Sequence, residues 1–193
     1  MATAFKEKER KEITERIKNY AIKRAAEVGM KKTSIDSIVD YACISKGAFY
    51  NFYDSKDALF LEIVEDWHTQ IYAMALKCLI SGTGSNKERA ANALYEACNI
   101  LYNEGIMKFY LKDLPHLLKN IFDTPLVEHY HDDSVHINEV IKYSGVELVV
   151  SQNEAVSIVK NIAYMVLNAD SLCEEYWSAL RIIIDSVCSS IVK

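Results

Sequence analysis

Thr33–Leu59 reads TSIDSIVDYACISKGAFYNFYDSKDAL. Its second half crowds Phe49, Tyr50, Phe52 and Tyr53 around Gly47. A plain core helix would not keep the glycine, which costs about 1 kcal/mol against alanine in a helix interior. A plain loop would not keep four aromatics. The stretch makes sense as two short helices. Thr33 with Asp36 has the spacing of a capping box, so a helix is expected to start there. It carries Ile35, Ile38, Val39 and Ala42 and ends near Cys43. Ser45 is the next good N-cap and opens a further short helix to about Phe52. Two short helices joined by about three residues make a helix-turn-helix.

Outward from this stretch the chain reads as helix after helix. Upstream, Ile13, Ile17, Tyr20, Ala21, Ala25 and Val28 recur three and four apart, and Gly29 suits a left-handed stop. Downstream, Asp54 or Ser55 caps a long helix with Leu59, Phe60, Ile63, Val64, Trp67, Ile71, Met74, Ala75 and Cys78 on its apolar side. The run SGTGSN breaks it after Ile80. Ser85 with Glu88 is a capping box for a fifth helix, holding Leu94, Ala97, Cys98 and Leu101 and stopped by Gly105. Pro115 and Pro125 suit first turns of two or three shorter helices between residues 106 and 145. Ser151 with Glu154 and Ser171 with Glu174 open the last two. Only VELVV, Val146–Val150, looks like a strand. The expected fold is all-α.

A helix that lies in a major groove needs small residues where its backbone approaches the base edges, and Ser45, Gly47 and Ala48 supply them. Phe49 and Phe52 are expected to anchor the helix, and Tyr50 and Tyr53 to brace it while offering hydroxyls to phosphate. Charge agrees. The chain is acidic, at −5, yet residues 1–56 hold twelve Lys and Arg against eight Asp and Glu. The remainder holds ten against nineteen. A basic head that meets a polyanion and an acidic body that does not fits this asymmetry.

With these residues in place, the stretch resembles the N-terminal helix-turn-helix of TetR-type transcriptional repressors, most specifically through SKGAFYNFYDSKDAL, Ser45–Leu59. The similarity covers Ile13 to Phe60. It implies a three-helix DNA-binding head, residues 1–54, and a helical ligand-binding and dimerisation body, residues 55–193. It implies that Thr33 and Ser34 hold phosphate, that Ser45, Lys46, Gly47, Ala48 and Asn51 face the groove, and that Tyr50 and Lys56 grip phosphate. Cys43 stands where the family often has glycine, at a cost of about 1 kcal/mol if the position is left-handed. Ala25 and Val39 also depart from the usual Phe and Ala. The implied partners are a pseudo-palindromic double-stranded operator, an unknown small-molecule effector and a second copy of the chain. The interface would lie on Asn153–Asn168 and Glu174–Ile191, with the two recognition helices roughly 34–36 Å apart. A ligand that prefers another spacing lowers DNA affinity by its differential affinity.

The wide apolar stripe of the last helix, from Tyr176 through Ile191 with Ile182 outside it, independently suggests burial on two sides. Pocket candidates in the body are Trp67, Tyr72, Met74, Met107, Tyr110, Tyr164 and Met165. His129, His131 and His136 sit two and five apart, poor spacings for one helix face, so an exposed polar turn is preferred to a metal site and no cofactor is expected. Cys43, Cys78, Cys98, Cys173 and Cys188 form no CxxC pair and read as small hydrophobes. No apolar run reaches about 18 residues and the N-terminus shows no secretory pattern, so a cytoplasmic protein without a membrane span is expected. No phosphate loop, nucleophile elbow or HExxH suggests an enzyme. Net acidity keeps one alternative in view, a helical small-molecule-binding or interaction protein without DNA binding.

Overall fold

The computed structural model describes residues 7–103, 109, 111–120, 134–169 and 173–193. Their helices are α1 Glu7–Val28, α2 Ile35–Ala42, α3 Lys46–Phe49, α4 Lys56–Ser81, α5 Asn86–Asn103, α6 Leu114–Asn120, α7 Ser134–Ser144, α8 Gln152–Leu167 and α9 Glu174–Ile191. The all-α expectation holds. VELVV contributes one isolated antiparallel bridge, Leu148 to Val192, and no extended strand. The chain divides into two compact units, Met1–Trp67 with Lys108–Asn120, and His68–Met107 with Ile121–Lys193.

In the first unit, Ile13, Ile17, Ala21 and Ala25 place the buried stripe of α1 at spacings of four. Ile38, Val39 and Ala42 of α2 and Phe49 of α3 are buried with it. From α4, Leu59, Phe60, Ile63 and Val64 complete the core. Phe109 stacks on Phe60 at 5.6 Å and meets the edge of Trp67 at 5.5 Å. Lys18 ties α1 to α4 through Glu62 at 2.6 Å and Asp66 at 2.5 Å. Burial works against its charge, but hydrogen bonds to Asp66 and Glu62 outweigh it and hold the amine above its ordinary pKa.

In the second unit, Ala91 and Cys98 of α5 pack against Ile162 and Val166 of α8 and Leu180, Ile184 and Cys188 of α9. Burial pushes the Cys98 thiol up to about 12 and, with Asp185 nearby, the Cys188 thiol up to about 11. These two are the small hydrophobes expected, whereas Cys43 and Cys173 are exposed. Both clear capping boxes form. Ser85 donates its backbone N–H to Glu88 at 2.7 Å and takes the Glu88 N–H on its hydroxyl at 3.3 Å. Ser151 and Glu154 do the same. The third proposed box does not open α9. That helix starts at Glu174 with Cys173 as its N-cap and no side-chain cap, so Glu174 stands in the first turn position rather than the third. Ser171 lies outside the described residues.

Candidate nucleic-acid interface

The helix-turn-helix starts one residue later than its spacing suggests. Thr33 is fully buried, and its hydroxyl donates to the Gly29 carbonyl at 3.0 Å across the 3-10 turn Met30–Lys32. Ser34 therefore caps α2, accepting the Ser37 N–H at 3.1 Å, while the Ser37 hydroxyl returns to the Ser34 carbonyl at 2.8 Å. Gly29 sits at φ 86°, ψ 155°, a region closed to side chains with a Cβ.

The turn between α2 and α3 is left-handed at Cys43, φ 56° and ψ 44°, the one non-glycine with positive φ among the described residues. Its N–H and that of Ile44 return to the Asp40 and Val39 carbonyls at 3.3 Å and 3.1 Å, satisfying the end of α2. Ser45 then caps α3 by accepting the Ala48 N–H at 3.1 Å. The helix itself is a single turn, and Tyr50–Phe52 continue it as turns closed by Asn51 and Phe52 N–H bonds to Ala48 and Phe49.

The aromatics sort by burial, not as spacing alone suggests. Phe49 and Tyr53 are the inward pair, with ring centroids 5.8 Å apart. The Tyr53 hydroxyl donates to Glu62 at 3.4 Å, and burial first, then the Glu62 charge, pushes its pKa up. Tyr53 is therefore a core residue, not a phosphate donor. Phe52 is half-buried beneath the Arg10 guanidinium, 4.6 Å from its ring centroid. Arg10 also donates to the Asn51 carbonyl at 2.9 Å. It thus fastens the end of the α3 segment to α1, a role its place in a charged N-terminal run does not disclose. Tyr50 is outward, 49% exposed, with its ring edge on Phe49.

Ser34, Ser45, Lys46, Gly47, Tyr50 and Asn51 are all exposed and Ala48 half so, which puts the small residues and the one mid-length amide on a shared outer surface. A Cβ built at Gly47 would meet only the Ser45 hydroxyl, at 3.9 Å. Nothing inside the chain asks for glycine there. Lys46 pairs with Asp36 at 2.8 Å, and that hydrogen bond and charge raise its pKa. The pair is open to solvent, where such contacts exchange readily. Lys56 is different. Its ammonium donates to the carbonyls of Met30 at 2.9 Å, Thr33 at 3.0 Å and Lys31 at 3.4 Å. With Thr33 buried and Lys56 bonded to its own chain, these two side chains do not stand free for phosphate as expected.

The pocket candidates do not form one group. Trp67 packs in the first unit on Phe109, and Met74 touches the Cys78 sulfur at 3.6 Å in the second. Tyr164 and Met165 are exposed on α8. Met107, Tyr110, His129 and His131 lie outside the described residues. Sequence reasoning missed a second-unit cluster: Tyr72 stacks on His136 at 4.9 Å, and His68, only 3% exposed, lies 5.6 Å from the same ring. Among the described residues no three His, Cys, Asp or Glu side chains gather as metal ligands would.

Against known proteins, the pattern of the bacterial regulatory proteins of the tetR family matches residues 19–63. An uncharacterized HTH-type transcriptional regulator of Bacillus subtilis (strain 168), YuxN, is 31% identical over 95 residues, 48% of this chain and 32% of that protein. The match thus spans about a third of that relative. A tetR-family regulator from Mesorhizobium loti MAFF303099 superposes with TM-score 0.66 at 16% identity, covering 94% of each chain. The transcriptional regulator FadR of Bacillus subtilis, solved with stearoyl-CoA, gives 0.64 at 13%, covering 90% of this chain and 96% of its own. At these identities the structural likeness is one of fold.

Proposed function

We propose, on the premise that residues 19–63 belong to the tetR family of bacterial regulatory proteins, that this chain is a ligand-responsive, dimeric, DNA-binding transcriptional regulator. In this reading residues 1–54 read DNA and residues 55–193 bind the effector and dimerise. The observation that carries it is the exposed Ser45–Gly47–Ala48 surface, whose glycine has no internal purpose and so suits the approach of an outside partner. Asn51 is the residue on that surface best fitted to read a base edge, since its amide both donates and accepts. Ser34, Lys46 and Tyr50 would position the backbone through phosphate. Lys46 would trade Asp36 for phosphate on binding.

The mode of control we favour is repression relieved by a small molecule. An apolar or acyl effector in the body has a precedent in the stearoyl-CoA held by FadR, a neighbour in fold. The exposed Tyr164, Met165, Ile182 and Ile183 on α8 and α9 suit the partner chain better than a pocket. No helix among the described residues is long and apolar enough to cross a membrane, and we place the protein in the cytoplasm. Selection of a duplex from a random pool, followed by titration at several salt concentrations, tests the function. Binding to a pseudo-palindromic site that weakens steeply with salt supports it, and no preference for any duplex refutes it.

A further inference from the structure

We infer that Lys56 is a positioning residue that clamps the start of α2 to the start of α4, and that it is not a phosphate contact. The inference rests on the DNA-reading function proposed above. An ammonium has three N–H donors, and here each meets one carbonyl, of Met30, Lys31 and Thr33. Those carbonyls belong to the 3-10 turn and to the residue before the α2 cap. Charge-assisted bonds of this kind are about twice as strong as neutral ones. A phosphate could recruit the ammonium only by breaking them.

The same corner is fixed from its other sides. The Thr33 hydroxyl holds the Gly29 carbonyl, and Ser34 holds the first turn of α2. The buried Asp113, immediately before α6, abuts Gly29, where an added Cβ would come within 3.5 Å of its carboxylate. The direction in which α2 leaves the corner is therefore set by the first turn of α4, with Lys56 as the link. Through the Cys43 turn, that direction also sets α3. A shift of the first turn of α4 would be handed to the reading surface through this side chain.

Salt dependence separates a clamp from a contact. Losing one phosphate contact flattens the plot of log affinity against log salt by about 0.9. With a duplex selected from a random pool, Lys46→Ala should show that flattening. Lys56→Gln and Lys56→Arg should instead lose about tenfold or more in affinity with the slope of the parent chain. Arginine keeps the charge, but its planar fork does not fit three carbonyls converging on one point. Both variants should also speed amide exchange at Ser37 and Ile38, the first bonded amides of α2. Wild-type affinity in Lys56→Arg, joined to a slope lowered by about 0.9 in Lys56→Gln, would establish a phosphate contact and overturn the clamp. If the unmodified protein selects no duplex, the proposed function fails. The exchange measurement then decides the clamp alone, and unchanged protection in both variants refutes it.

Discussion

Two residues of the turn carry opposite lessons about backbone. Cys43 occupies the left-handed position that a Cβ makes costly, so Cys43→Gly should stabilise the protein by about 1 kcal/mol in chemical denaturation. Gly47 occupies a position with room for a methyl group. Gly47→Ala should leave stability equal or raise it by up to about 1 kcal/mol, while DNA affinity drops about tenfold, equivalent to about 1.4 kcal/mol. An alanine variant that binds DNA normally would show that the glycine is not kept for the groove. Cys43 was legible because a tight turn between two helices leaves few conformations to its residue. Lys56 was not. Its partners lie 23 to 26 residues upstream, and sequence spacing carries no sign of three carbonyls converging there. Thr33 and Ser34 were ambiguous for a local reason, since either hydroxyl can cap, and only burial of the first decides.

At the scale of elements, caps were the most readable feature where serine and glutamate stood three apart and exposed. Ser85–Glu88 and Ser151–Glu154 formed as the sequence suggests, because both partners are local. The same bonds set a pH dependence. Ser151 hydrogen bonds hold the Glu154 carboxyl below its ordinary value of 4.5, and Glu88 is lowered likewise by Ser85. The unfolded chain therefore binds these protons more readily. The stabilisation is present above pH 4.5 and is lost as pH falls through the lower folded values. Glu154→Gln should reduce the acid-induced loss of stability below about pH 4.5, read by thermal unfolding across pH, with a flatter profile than the parent. An unchanged profile would remove the cap from the account. The α9 start was misread because Glu174 fits the first turn of a helix as well as a capping box. The aromatic segment was misassigned in part because one turn of α3 followed by looser turns rotates Tyr53 inward and Phe52 toward Arg10.

For the whole molecule, the helical class and the reading head were legible, because apolar periodicity and the Ser45–Leu59 pattern are both dense. The effector site was not, since side chains that line a cavity and side chains that fill a core share one composition. Dimerisation rests on α8 and α9, where Tyr164 is 59% and Ile182 65% exposed. Ile182→Glu should turn a sedimenting dimer into a monomer, and in doing so weaken operator binding about a hundredfold or more, since two half-sites no longer act together. A variant that remains dimeric would place the interface elsewhere.

The most direct test of the central claim is selection of the purified chain against a random duplex pool, with affinity then measured from 50 to 200 mM salt. A regulator of this design yields a pseudo-palindromic site with half-sites about one helical turn apart and affinity that falls roughly a thousandfold or more over that range. Recovery of no enriched sequence, or binding indifferent to salt, would contradict it.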